Sequence, residues 1–463
     1  MSKSDRRSEK QTRRFPAARV TDCRTGAFKR TVPTQAGLRA NPWGRRGLLG
    51  DLELRIHPFL SAFAASLIAM LPVHVWAQTP QDATATPREE SVSVRDRDRP
   101  EYDAQGARFG SFVLNSSLDL EVTSTDNLFA APSSSDFEDI IYTATPMARL
   151  SSDWSRNAFA IDVGATLTTH RDFSNEDADS YFARVSGRLD VGDSTEISAA
   201  ARAAHQVTPR TDPDSPFIGS PVEYDRADVS AGVKHRFARF TVSLDGGNST
   251  YDYDNLPARD NDQTFVRGRI EGELSPRIGL FVEAQADERS YDNSPNFDSE
   301  GRAYMAGVTV NTDLMNGELA VGQFDRDYSG GVGAVDGLAV AGQLEWYITQ
   351  LTTLTFNARR DADDQIGLTS GLPYVAEEYG ARVDHELLRN VILTASIQRG
   401  QREYESVDRQ DDYTKVEAGV DYLLNRRAAV NLRYQRGELD SQGAVPYRDY
   451  EVNEVSVGLT LRL

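Results

Sequence analysis

Beyond the first 77 residues the chain carries four histidines, His170, His205, His235 and His385. Histidine carries protons near neutral pH, and beside Ser and Asp it would mark a hydrolase. By the phase of the residues around them, His205, His235 and His385 fall on an apolar face near segment ends, where a lipid hydrolase could work. None stands beside Ser or Asp in the pattern a triad or dyad needs, so interfacial histidine is the better reading and no enzyme is expected. Two acidic groups, Asp252, Asp254, Asp260, Asp262 and Asp408, Asp411, Asp412, could hold calcium or bridge lipopolysaccharide through divalent ions. They lack regular calcium-loop spacing and read as solvated acidic loops. Ser329 to Gly337 (SGGVGAVDG) reads as a flexible loop. Phosphate-cradling glycine loops, Cys/His zinc spacing and haem motifs are absent from the sequence, so no metal and no cofactor is expected.

What remains is charge in alternation. Arg184, Arg188, Arg202, Arg267, Arg269, Arg433 and Arg462 interleave with Glu271, Glu273, Glu283, Glu417 and Asp421 on the polar phase of successive segments. If that phase faces a lumen, opposed basic and acidic side chains set a transverse field and favour a hydrated pore. If the same charges pair across the lumen, they close it.

The elements that would position these charges are strands. At the C-terminus Val455, Val457, Leu459, Leu461 and Leu463 alternate with Glu454, Ser456, Gly458, Thr460 and Arg462. Strict period two gives a strand with one apolar and one polar face. Eighteen such segments begin near Phe112, Ile140, Ala158, Ser180, Glu196, Val222, Phe240, Thr264, Ile278, Gly301, Glu318, Gly337, Thr353, Val375, Val391, Asp411, Ala428 and Tyr447. Connections after even-numbered segments are tight, such as DWSRN at Asp153 to Asn157 and LRN at Leu388 to Asn390. Those after odd-numbered segments are long and polar, such as Thr208 to Pro221, Asp252 to Asp262, Asp292 to Glu300 and Asp361 to Pro373.

A soluble sandwich has no reason to sort its loops by length. An outer-membrane barrel does, with short turns in the periplasm and long loops outside. The 352 residues from Phe112 to Leu463 provide about 20 per strand with its connection, enough for tilted strands of roughly 9 to 11 residues. The expected fold is therefore all-β: one antiparallel up-and-down transmembrane barrel over residues 111–463, of about 18 strands (16–18). Tyr142, Trp154, Tyr251, Tyr253, Tyr291, Trp346, Tyr347, Tyr404 and Tyr422 lie near segment ends, where interface girdles would place them. Pro146, inside the second strand, would remove a ladder hydrogen bond and predicts a bulge or a shorter strand.

Ahead of the barrel, only Phe59 to Ala77 is apolar enough to cross a bilayer as a helix. It is broken by Pro72 and ends in Val75-Trp76-Ala77, the small-residue pattern of a cleaved secretory signal, with Gln78 as mature N-terminus. The Arg-rich first 50 residues hold the only cysteine, Cys23, and are too long for a signal n-region, which favours a start nearer the apolar run. Residues 78–110 are Pro-, Asp-, Glu- and Arg-rich and read as a disordered periplasmic lead-in, too short for a globular plug. Removing residues 1–77 takes away 14 Lys/Arg and 5 Asp/Glu, leaving 37 basic against 65 acidic residues, a net of −28. So acidic a chain excludes nucleic acid as a natural partner, and without cysteine it forms no disulfide. A charged fraction of 26% leaves no bundle of membrane helices.

The stretch Arg97 to Phe129 resembles the start of the putative beta-barrel porin type 2 family. The matching features are Arg-Pro-Glu-Tyr at Arg99 to Tyr102, Gly106 before Gly110-Ser111-Phe112, and Asp126-Asn127 after the first strand, followed by Pro146 and DWSRN. The resemblance runs from about Arg97 to Leu463 and implies an outer-membrane channel or an exopolysaccharide-associated barrel. Leu463 departs from the aromatic terminal residue common in such barrels. The leading expectation is a passive channel for small hydrophilic solutes in the bacterial outer membrane. Its partners would be outer-membrane lipids, lipopolysaccharide and the barrel assembly machinery. The alternatives are a non-conducting barrel in envelope or exopolysaccharide assembly that binds glycan through its long loops, and an all-β soluble secreted protein.

Overall fold

A computed structural model describes residues 92–463 except 133–136, 214, 216–218, 332 and 367–370, and omits the side chains of 365, 366 and 371. The N-terminal extension, the apolar segment 59–77 and residues 78–91 lie outside the described residues. The strands are β1 (Ala107–Phe109), β2 (Phe112–Thr125), β3 (Asp139–Ser152), β4 (Ala158–His170), β5 (Ala178–Val191), β6 (Thr195–Thr208), β7 (Val222–Phe237), β8 (Phe240–Tyr253), β9 (Asn261–Ser275) and β10 (Ile278–Tyr291). They continue with β11 (Ser299–Asn311), β12 (Met315–Tyr328), β13 (Gly333–Thr349), β14 (Thr352–Ile366), β15 (Gly371–Leu388), β16 (Val391–Tyr404), β17 (Arg409–Asn425), β18 (Ala428–Gly443) and β19 (Tyr450–Arg462).

Each strand from β2 to β19 pairs antiparallel with its neighbours in chain order, and β19 pairs back onto β2 from Glu454↔Thr125 to Arg462↔Ser117. The result is a closed barrel of eighteen strands, which removes the free sheet edges a bilayer cannot satisfy. The first residues of β2 extend past the end of β19. There β1 takes the edge, with Ala107↔Leu114 and Phe109↔Phe112, through a two-residue turn at Gly110-Ser111. Gly110 has φ +60°, which a side chain would strain, and this explains the glycine at that position.

Directly paired residues share a face, so the register carries one face around the barrel. From Leu459 it passes to Val430 on β18 and to Leu120 on β2, and Val185, Leu244, Val282 and Val321 stand exposed on the same outer phase of their strands. The strands run 13–18 residues, longer than the roughly 9 to 11 a bilayer requires. The excess lies at the long-loop end. On β12 the outer positions read Leu319 and Val321, then Gln323, Asp325 and Asp327; on β19 Val455 to Leu463 are apolar and Asn453 and Glu451 precede them. About nine residues per strand thus meet lipid, matching an apolar band about 25 Å tall, and the rest stands above it. For the same reason Asp361–Pro373 is mostly strand, and the expected loop Ser329–Gly337 gives way to strand from Gly333.

Two further expectations fail. Of the lead-in expected to be disordered, residues 92–110 are folded: a run of turns, then β1. Pro146 produces neither bulge nor shortening. β3 has 14 residues, pairs β2 without interruption, and omits only Thr145 and Pro146 from its ladder with β4 before resuming in the same register. The missing N–H is thus confined to one ladder. Replacing Pro146 with Val should restore that donor and raise stability by roughly 0.5–1.5 kcal/mol, read from urea unfolding in lipid vesicles.

Candidate functional site

The face opposite Leu459 is polar. Counting from Glu454 through each register, it holds all twelve charges singled out from the sequence: Arg184, Arg188, Arg202, Arg267, Arg269, Glu271, Glu273, Glu283, Glu417, Asp421, Arg433 and Arg462. Some are tied. Arg269 reaches Glu318 at 2.8 Å, Glu271 at 3.3 Å and Glu283 at 3.7 Å, and its guanidinium lies 3.5 Å from the Phe281 ring centroid. Arg433 joins Asp421 at 3.0 Å and Glu417 at 3.5 Å, Arg188 joins Asp190 at 3.2 Å, and Arg267 joins Asp245 at 3.7 Å. Arg184 and Arg202 are directly opposite each other on β5 and β6 and make no ion pair among the described residues. Asp162 of β4 lies opposite Arg184 and Asp228 of β7 opposite Arg202, so each arginine has a carboxylate in register on its other side that offsets the like-charge repulsion. Arg462 lines a cavity of about 400 Å³ with Asp119, Glu121 and Arg433. The C-terminal positions Val455, Val457, Leu461 and Leu463 are exposed on the outer face and Leu459 is partly exposed.

Sequence reading missed how the long-loop mouth is narrowed, because the residues involved meet across the barrel. Beyond Arg360, β14 leaves β13 and continues with β15 alone. The outer end of this hairpin folds inward, and Ala362 and Val375 pack on Phe324, Tyr328, Val335 and Ala339, which belong to the inner face of β12 and β13. Arg289 of β10 holds it with Nη1 on Asp363 (2.7 Å) and Asp364 (2.9 Å), and Tyr291 donates to Asp364 at 2.7 Å.

From the other side residues 209–213 and Ser215 reach inward. Arg448, in the loop before β19, donates to the carbonyls of Arg210 (2.8 Å), Asp212 (3.0 Å) and Ala130 (3.2 Å), and Tyr447 donates to that of Ser215 (3.3 Å). Burial pushes the Arg448 guanidinium below its ordinary value, although Tyr447, Tyr450 and Asp212 oppose the shift. Asp212 ends 4.0 Å from Arg402 of β16. Arg210 is clamped to Glu176 by two 2.8 Å bonds. Asp126 and Asn127 belong to this assembly: the Asp126 carboxylate accepts from Asn453 (2.7 and 2.8 Å), and Asn127 Nδ2 donates to the Ala131 and Glu451 carbonyls.

The phase of several aromatic residues was misjudged. Tyr142, Trp346 and Tyr422 face outward and Trp154 packs at the rim on Phe112, but Tyr251, Tyr253, Tyr291, Tyr347 and Tyr404 point into the barrel. The acidic groups expected in loops are also partly strand. Asp252 and Asp262 are paired in β8 and β9, Asp412 in β17, and Asp411 is enclosed between Arg409 and Ser441.

The outer-face histidines meet cross-strand partners. His205 stacks on Tyr181 and pairs with Asp225 (2.8 Å) and Glu223 (3.4 Å), His235 with Thr195 (2.7 Å) and His385 with Thr352 (3.0 Å); His170 is on the inner phase of β4. Both His205 nitrogens thus meet carboxylates, which leaves neither for a nucleophile.

Solved structures with a similar course come from Pseudomonas aeruginosa. OccK2 (OpdF) matches with 12% identity and a TM-score of 0.44 over 76% of this chain and 98% of its own. OccK9 (OpdG) matches with 14% identity and a TM-score of 0.43 over 76% and 98%, and OpdL with 13% and 0.41 over 77% and 100%. No curated protein matches the chain. A family model, putative beta-barrel porin 2, spans residues 99–463, which is the whole barrel and the Arg-Pro-Glu-Tyr stretch before it. The chain belongs to that family of outer-membrane porin-like barrels.

Proposed function

We propose that the barrel is a passive channel for small hydrophilic solutes across the bacterial outer membrane. The observation that carries the reading is the inner face, which presents polar or charged side chains on every barrel strand, broken by the apolar patch of β12 and β13 under the infolded hairpin, while the outer face stays apolar over a bilayer's height. A barrel of this strand number is wide enough to enclose water. The infolded hairpin and residues 209–213 narrow its external mouth without crossing the lipid-facing wall. Outer-membrane lipid and lipopolysaccharide surround that wall, and assembly would use the alternating β19.

Purified protein in a planar bilayer should show stepwise ion conductance. Absence of openings at every voltage would sink the reading. Within the channel, Arg184 and Arg202, which stand side by side and make no ion pair among the described residues, favour anions. Reversing both, Arg184→Glu with Arg202→Glu, should lower the chloride-to-potassium permeability ratio by about twofold or more, read from the zero-current potential in a salt gradient.

A further inference from the structure

The Arg-Pro-Glu-Tyr stretch lies outside every strand, yet it is firmly held. Residues 92–103 form turns seated at the short-turn end of the barrel against β14 to β17. Val94 is completely enclosed, and its N–H donates to Thr353 Oγ1 on β14 at 2.9 Å. Arg95 contacts Asp384 on β15 at 2.8 Å and Asp421 on β17 at 3.1 Å, and also donates to Thr394 on β16. Arg99 donates to Glu386 at 2.8 Å and to the Val94 carbonyl at 2.7 Å, and Arg97 meets Glu386 at 3.3 Å.

Two turn residues hold the segment from below: Arg389 reaches Glu101 at 3.2 Å and Arg426 the Pro100 carbonyl at 2.7 Å. Burial works against the Arg95 charge, but Asp384 and Asp421 outweigh it and hold the guanidinium above its ordinary value. Three arginines thus meet three inner-face carboxylates supplied by strands 287 to 326 positions later. A cavity of about 400 Å³ lies between the segment and the β18–β3 wall, with Arg95 and Arg99 on one side and Asp119, Glu121 and Arg462 on the other.

We propose that residues 93–103 form a built-in latch across the periplasmic mouth, so that this segment, and not the strand wall, sets the aperture there and masks the mouth's carboxylates. The inference rests on the channel reading above for its consequence, but its geometry is separately testable. Without the latch, Asp384, Glu386 and Asp421 face water and the mouth becomes wider, while its net charge changes little, because Arg95, Arg97 and Arg99 leave together with Asp96, Asp98, Glu101 and Asp103.

The test compares three forms in planar bilayers: the intact chain, a chain lacking residues 92–104, and Val94→Cys/Thr353→Cys with Cys23 replaced. The cysteine pair should oxidise in isolated outer membranes and, once oxidised, conduct like the intact chain. The shortened chain, shown to be folded by its heat-modifiable gel mobility, should conduct about twofold more. An unchanged conductance in the folded shortened chain, or a pair that does not oxidise, would overturn the latch.

If every form is silent, the channel reading fails alone. The latch is then decided by the rate at which a bulky thiol reagent labels Ser456→Cys, a position lining the cavity. Faster labelling without residues 92–104 supports it, and equal rates refute it.

Discussion

Leu459→Arg should cost about 2–4 kcal/mol of barrel stability, the range for a cation at the lipid-facing midplane. Leu459 sits at the middle of the apolar run Val455 to Leu463 on the outer face of β19, between Val430 of β18 and Leu120 of β2. It therefore lies on the seam where the last strand meets the first. A strand that pairs on one side only leaves backbone groups facing hydrocarbon, so damage there opposes closure of the whole barrel. Urea titration of refolding into vesicles, followed by gel mobility, gives the measure. The neighbouring Thr460→Arg should cost less than about 1 kcal/mol, because Thr460 faces inward and bonds to Asp119. Equal losses for the two would mean that the faces are wrongly assigned.

That contrast depends on a single step of phase, and phase was the most legible feature of the sequence. A one-residue shift moves every side chain to the other face, so Val185 beside Arg184, or Leu459 beside Thr460, defines inside and outside without any tertiary information. The same reasoning could have corrected the aromatic residues. Tyr251 is out of phase with Leu244 on one strand, and its inward direction was readable there.

Strand length was less legible. Above the lipid the outer face becomes charged, as at Asp325 and Asp327, and the alternation that identifies a strand disappears although its hydrogen bonds continue. The narrowing segments were hidden for another reason. Ala362 and Val375 carry a lipid-facing phase but pack inside on Phe324 and Tyr328, since their hairpin has left β13. Likewise Arg95, Arg97 and Arg99 sit in a composition that signals disorder, and partners far along the chain, carboxylates among them, order them. A local reading has no access to partners so remote in sequence.

The hairpin also supports the second large prediction. Arg289 is almost fully enclosed, as is Asp364, with side-chain exposures of 5% and 3%. Arg289→Ala would remove the cation that Asp363 and Asp364 share and leave their two carboxylates side by side, and breaking a buried pair in this way costs about 3–5 kcal/mol. None of these groups takes part in the β19–β2 seam. The penalty therefore falls on the seating of the hairpin against β12 and β13 and not on closure of the barrel. The variant should fold, show higher and noisier single-channel conductance, and become sensitive to protease between residues 361 and 375. Adding Asp363→Asn and Asp364→Asn should recover part of the loss, since it removes the stranded charges and leaves the Ala362 and Val375 packing intact. Conductance and protease resistance identical to those of the unaltered chain would show that apolar packing alone seats the hairpin.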